Sequence, residues 1–181
     1  GGPALTHVAG VQGSIAATNA LLGSWRRWEP RSVPWVTYTD PEVARVGLTE
    51  DQARAAHGAG VRTRRVEHTH VDRAVIEGST RGFTEVVLDR HGRVLGACVV
   101  APRAGEMLAE LTALVARRGR LRDLAGVVHP YPGWSDGPWR AALDEVTATT
   151  RRPLVRGALT AVLAARRYLG DRYPRHRTGS A

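Results

Sequence analysis

"GFTEVVLDRHGRVLGACVVA", residues 82–101, decides the fold. Two runs, 82–89 and 93–101, are rich in β-branched and apolar residues, and "DRHGR" with Gly92 lies between them. Two such runs around a short glycine-containing turn read as a β-hairpin, which makes neighbouring strands antiparallel. Upstream, 61–69 and "VPWVTYT" (33–39) read as further strands, and "DPEVARVG" (40–47) reads as a turn. "LTEDQARAAHG" (48–58) predicts a short helix capped by Thr49, with acids in its first turn and Gly58 at its end.

Helices dominate both flanks of this strand-rich centre. "LTHVAGVQGSIAATNALLG" predicts a helix capped by Thr6 and stopped at Gly23. Residues 104–119 carry apolar side chains at 107, 108, 111, 114 and 115, a helical stripe. "LRDLAGVV" predicts another short helix, and "SDGPWRAALDEVTATT" one capped by Ser135 with Pro138 near its first turn. From Arg151 the chain turns into a basic amphipathic helix, and "DRYPRHRTGSA" (171–181) reads as disordered. This order predicts an α+β fold, a mostly antiparallel sheet with helices packed against it. Neither GxGxxG nor GxxxxGK[ST] occurs, so no nucleotide-binding loop is predicted.

Composition narrows the function classes. Its 181 residues suffice for a compact domain with a sizeable core. No stretch is long and apolar enough to span a bilayer, and the N-terminus has neither a basic lead nor an apolar run. The single cysteine, Cys98, excludes an internal disulfide or a redox pair and is expected in the core, so the expected compartment is the cytosol. All 26 basic residues are arginines, and the net charge of +9 is unevenly placed. Residues 1–150 hold 18 arginines against 16 acids, whereas 151–181 hold 8 against Asp171 alone.

Candidate chemistry concentrates in "VVHPYPGWSDGPW" (127–139). It offers His129 and Tyr131 as proton carriers and Asp136 as a carboxylate; read structurally, it is a proline-stiffened turn before a helix. Elsewhere "EHTH" would set His68 and His70 on one strand face, where a metal could bridge them, but no third ligand is evident. Glu106 is expected to serve the first turn of its helix, and Glu85 to make an exposed strand contact.

Several segments, in order, resemble the C-terminal dimerisation domain of the pyridine nucleotide-disulfide oxidoreductases, FAD flavoproteins such as dihydrolipoamide dehydrogenase and mercuric reductase. They are "YTDPEVARVGLTEDQA" (38–53), "DRAVIEGSTRGFTEVVLD" (72–89), "RVLGACVVAPRAGEML" (93–108) and "LRDLAGVVHPYP" (121–132). The resemblance covers residues 33–147 and leans towards the mercuric reductase-like branch, which carries a tyrosine-proline form of the terminal motif. It implies a dimerisation domain over 33–150, a remnant of the FAD-binding domain over 1–32, and a basic helix and tail over 151–181. "GGPALTHVAGVQGSIAATNALLG" (1–23) is similar to the end of the FAD-binding domain, in which a helix N-terminus faces the isoalloxazine. By position, Leu5, Thr6, His7, Val8 and Ala9 would make that FAD contact, where unpaired N–H groups and the helix dipole stabilise a negatively charged reduced flavin.

In the family, a His-Pro-Thr-x-x-Glu motif ends the domain, and its histidine serves the partner subunit's dithiol as acid–base catalyst. Asp136 lies five positions after Tyr131 and seven after His129. The register Tyr131-Pro132-Gly133-Trp134-Ser135-Asp136 therefore keeps the motif's spacing and is preferred. The alternative keeps His129-Pro130 by identity and needs a two-residue insertion. A phenol is a poor base at neutral pH, so tyrosine and aspartate in these places put the family's ordinary acid–base chemistry in doubt. The redox cysteine pair and both nucleotide-binding units are missing from these residues, so the resemblance implies the final third of an oxidoreductase, unable to transfer hydride alone. A homodimer is expected, with a complementing chain carrying the FAD and NAD(P) units as a further partner, FAD as the family's cofactor and none held by this chain alone. The other reading is a stand-alone interaction module whose arginine-rich tail binds an anionic surface, membrane or nucleic acid; nucleic acid is not expected as a partner.

Overall fold

A computed structural model describes residues 4–172 of the chain. Five strands form one antiparallel sheet: β1 (Pro34–Thr37), β2 (Glu42–Gly47), β3 (Arg62–Glu67), β4 (Phe83–Leu88) and β5 (Val94–Ala101). Their order across the sheet is β1-β2-β5-β4-β3, so the quoted hairpin β4–β5 lies inside the sheet. Its turn is closed by Asp89, whose Oδ1 accepts from the N–H groups of His91 (2.7 Å) and Arg93 (2.9 Å). Gly92 sits at φ +79°, a left-handed conformation that a side chain would strain.

Burial alternates along β5, as a sheet with one covered face requires. Ala97, Val99 and Ala101 are buried while Cys98 and Val100 are only partly so. The covered face joins Ala44 and Val46 of β2 and Val86 and Leu88 of β4 to Met107, Leu108, Leu111 and Val115, and to Ala141 and Ala142. Those partners come from α4 (Ala104–Met107), α5 (Ala109–Arg117) and α6 (Asp136–Thr150). A smaller cluster on the other face, Ala53, Val61 and Val87 with Leu48 and Leu95, seats α2 (Glu50–His57). The α+β class with its antiparallel sheet is thus the observed architecture.

Several local expectations hold. In α2 the Thr49 hydroxyl accepts from Gln52 N–H at 3.1 Å and the Gln52 side chain accepts from Thr49 N–H at 3.0 Å, a complete capping box. Helix α1 (Thr6–Leu22) ends at Gly23 in the left-handed conformation. Others need correction. Thr6 is not the cap of α1; Leu5 holds that place, and no side chain bonds the first turn. "DPEVARVG" is not a turn beyond its first residues: Glu42–Gly47 form β2, because Ala44 and Val46 fill the core and the strand pairs on both sides, with β1 and β5. The strand predicted over 61–69 stops at Glu67, and His68–His70 make a 3-10 turn. The stripe over 104–119 is broken at Leu108 into α4 and α5, and residues 121–126 form a 3-10 helix. Ser135 precedes α6 without a capping bond. Cys98 is half-buried on the outer face, where burial pushes its thiol up from the ordinary value.

Helix α6 carries the end of the candidate motif and is held from two sides. Glu145, 4% exposed, takes Arg62 at 2.5 Å and Arg64 at 2.9 Å, both from β3. At its N-terminus, a Cβ on Gly137 would lie 2.5 Å from Thr84 Oγ1 and 3.1 Å from Met107 Cε, so only glycine lets the helix approach β4 this closely. Helix α7 (Pro153–Arg172) follows, and nearly all of residues 151–168 are exposed. The expected disordered stretch 171–181 lies outside the described residues from 173 onward, and Asp171 and Arg172 belong to α7. Among the described residues no helix is long and apolar enough to cross a membrane.

Candidate active site

Residues 127–135 cross from the 3-10 helix to α6, and one tryptophan anchors them. Trp134 is 8% exposed and meets the His68 ring edge-on, with centroids 6.0 Å apart. His68 is wholly buried, and its Nε2 lies 3.0 Å from Thr84 Oγ1. Burial lowers its pKa from 6.5 to about 4, so the ring is neutral at physiological pH. His70 is exposed. The two histidines therefore do not share a strand face, and no group of three or more metal-ligating side chains occurs among the described residues.

The loop presents its two proton carriers differently. The His129 side chain is 7% exposed, and both ring nitrogens face acceptors. Nδ1 lies 3.0 Å from the Val127 carbonyl oxygen, and Nε2 lies 3.0 and 3.2 Å from the two carboxylate oxygens of Glu110 on α5. Both ring nitrogens are thus engaged by neighbours within this chain. Tyr131 stands 71% exposed, and its hydroxyl donates to Asp72 Oδ2 at 2.6 Å. Asp72 opens α3 (Asp72–Ile76) and also receives Arg140 Nη2 of α6 at 3.3 Å. The hydrogen bond to Asp72, reinforced by that carboxylate's charge, raises the phenol above its ordinary pKa. Tyr131 is thus a neutral hydroxyl across the physiological range, a donor or acceptor of hydrogen bonds and not a base. The Tyr131–Pro132 peptide bond is cis.

Asp136 is 5% exposed at the start of α6. Burial pushes its carboxyl up; Arg140 and His129 pull it down, and Asp72 pushes the same way as burial. His129, Tyr131 and Asp136 are therefore brought into one electrostatic cluster, but the hydroxyl of Tyr131 is bonded to Asp72 and not to Asp136. Beside His129 opens a cavity of about 510 Å³, lined by Arg73, Arg103, Glu106, Glu110, Pro132 and Trp134 among others. Arg73 is paired with Glu77 along α3.

Spacing alone did not reveal Asp72, Arg140 or Glu110. Tyr131 and Asp72 are 59 residues apart, and His129 and Glu110 are 19 apart. The only signal was that Asp72 opens one of the segments carrying the family resemblance.

The proposed flavin-contact residues lie elsewhere. Leu5, Thr6 and His7 line a second cavity, about 610 Å³, with Pro34, Trp35 and Tyr38. It uses a different face of the α4–α5 segment, contributed by Gly105, Leu108, Ala109 and Thr112. His7 Nε2 lies 2.9 Å from the Pro34 carbonyl oxygen, tying α1 to β1, while Val8 is buried and Ala9 exposed. Ala9 N–H bonds Leu5 O at 3.0 Å, the first bond of the helix, so the preceding N–H groups have no partner within it. These residues fit one edge of an anionic ring system; they do not enclose a dinucleotide.

Comparison with known proteins agrees with this architecture. Residues 33–142 match the family model for the pyridine nucleotide-disulphide oxidoreductase dimerisation domain. A dihydrolipoyl dehydrogenase of Halobacterium salinarum is 37% identical over 142 residues, covering 78% of this chain and 30% of that protein. A mercuric reductase of Streptomyces lividans is 35% identical over 130 residues, covering 71% and 27% respectively. The crystal structure of LpdA from Mycobacterium tuberculosis superimposes with a TM-score of 0.71 at 30% identity, over 77% of this chain and 30% of that one. The chain spans about 30% of the length of the dihydrolipoyl dehydrogenase it matches. On the match over 33–142, the chain belongs to the pyridine nucleotide-disulphide oxidoreductase dimerisation-domain family.

Proposed function

We propose that residues 33–150 form the homodimer interface of an FAD-dependent disulfide oxidoreductase of the mercuric reductase kind, and that the loop at 127–136 completes the partner subunit's active site. The observation that carries this reading is the apolar surface around Tyr131. Helix α3, which Tyr131 touches through Asp72, exposes Val75 (56%) and Ile76 (65%), and the loop exposes Val128 (96%) and Tyr131 (71%). Large exposed apolar side chains gathered around a polar functional group are what an isologous interface covers.

Within that dimer Tyr131 takes the place of the family's catalytic residue. Asp72, itself bonded by Arg140, holds its hydroxyl in the free chain; in the dimer the hydroxyl turns from Asp72 to donate to a thiolate, or offers its oxygen lone pair to a soft metal ion, brought by the partner. His129, locked between Val127 and Glu110, braces the loop. Asp136 sets the local charge at the start of α6. The FAD and NAD(P) units of the assembled enzyme supply reducing equivalents; this chain contributes the start of α1, Leu5–Ala9, with the N–H groups that precede Ala9 facing one edge of the flavin. The exposed face of α1, with Leu21 82% and Leu22 78% exposed, would pack on the FAD-binding portion. The single thiol suits a cytosolic setting.

The test joins the chain to, or complements it with, a unit carrying FAD and the dithiol. Tyr131→Phe should lower the steady-state turnover more than His129→Ala does. A larger loss for His129→Ala would move the catalytic position to His129.

A further inference from the structure

Helix α7 plays no part in the reading above, and its residues lie beyond the family match that ends at residue 142. Its 20 residues are about 30 Å long at the rise of an α-helix. Among residues 151–168 only Val155 is even half-buried. At the helical period Leu154, Val155, Ala158, Val162 and Ala165 fall on one arc, Arg166 and Leu159 flank it, and Arg156, Thr160 and Arg167 lie opposite with Leu163 at their edge. That arc stands in water: Leu154 is 90% exposed, Val162 55%, and Leu159 46%.

Charge selects the occupant. Residues 151–168 hold five arginines (Arg151, Arg152, Arg156, Arg166 and Arg167) and no acid. None of the five makes an ion pair with a described residue, whereas Arg54, Arg62, Arg64, Arg65 and Arg140 of the body all do. A second copy of the helix laid against this arc would bring like charges together with no carboxylate between them. Nucleic acid would neutralise the arginines and leave the apolar arc in water. An anionic lipid surface satisfies both: the arc enters the boundary between headgroups and acyl chains, and the guanidinium groups reach phosphates beside it.

We propose that α7 lies in the plane of an anionic membrane surface and tethers the domain to it, peripherally and without spanning. This goes beyond the dimerisation role and does not depend on it.

The experiment is co-sedimentation of the full 181-residue chain with vesicles at physiological salt. One set is phosphatidylcholine alone; the other contains about one-third phosphatidylglycerol. The anionic vesicles should retain the chain and the neutral ones should not. Leu154→Asp/Val162→Asp and, separately, Arg156→Gln/Arg166→Gln/Arg167→Gln should each lower the partition coefficient about tenfold or more. Circular dichroism and a melt of each variant confirm that the body remains folded. No retention by anionic vesicles overturns the proposal. So does retention that survives the apolar double variant, which would reduce the contact to charge alone. Tighter binding to duplex DNA than to the vesicles would assign the helix to nucleic acid, and loss of self-association on removing 151–181 would assign it to a second copy; either result overturns the proposal.

Discussion

Helices α6 and α7 follow one another along the chain, and both have an apolar side and a charged side. In α6 the side that carries Ala141 and Ala142, both fully buried, closes the core, and the acid on that same side, Glu145, is buried between Arg62 and Arg64. In α7 the apolar side faces water, and the arginines at 156, 166 and 167 pair with no described acid. Amphipathic pattern alone does not fix a helix's role; what covers it does. The body 33–150 is stabilised by its own contacts, whereas α7 contributes little to the fold and is free to serve another surface.

That contrast can be broken by mutation. Glu145→Ala leaves two arginine heads, each about a fifth exposed, without their carboxylate, and should cost about 3–5 kcal/mol in urea unfolding. Arg156→Ala on α7 should change stability by less than about 0.5 kcal/mol. Similar losses for the two would show that α7 is part of the cooperative core.

Acid probes the body alone. The folded-state pKa of His68 is depressed to about 4 from 6.5, so below pH 6.5 the unfolded chain binds a proton that the folded chain refuses. Its contribution to stability is complete above pH 6.5, falls as pH drops towards 4, and amounts to roughly 3 kcal/mol. Urea midpoints between pH 7 and 4.5 should fall accordingly, and His68→Gln should flatten that slope. An equal slope in the variant would assign the acid loss to carboxylates instead.

Removal of the whole segment 151–181 should also have only a small effect. The melting temperature of the body should move by no more than a few degrees, the equivalent of less than about 1 kcal/mol. A collapse of the transition would mean that α7 is covered in solution.

The features legible in the sequence are those set by neighbours along the chain. The β4–β5 hairpin follows from Asp89 and Gly92 in its turn, and α2 from Thr49 and Gln52, all within a few residues of one another. β2 was hidden because Asp40, Pro41 and Gly47 signal turns, whereas its strand character comes from pairing with β1 and β5. The candidate site divides the same way. His129, Tyr131 and Asp136 were visible as a motif, but Asp72 and Glu110, which fix what the first two can do, reach them only through the tertiary fold. His68 and His70 looked alike as neighbours in sequence; the turn after Glu67 buries one and exposes the other.

The central claim is that the body of this chain is a dimer-forming domain. Sedimentation equilibrium at tens of micromolar tests it most directly, with Val128→Asp as the control placed on the exposed apolar surface. The wild-type chain should sediment at twice its 19.6 kDa mass and the variant should shift towards a single copy. A wild-type chain that stays at 19.6 kDa throughout that range would contradict the account.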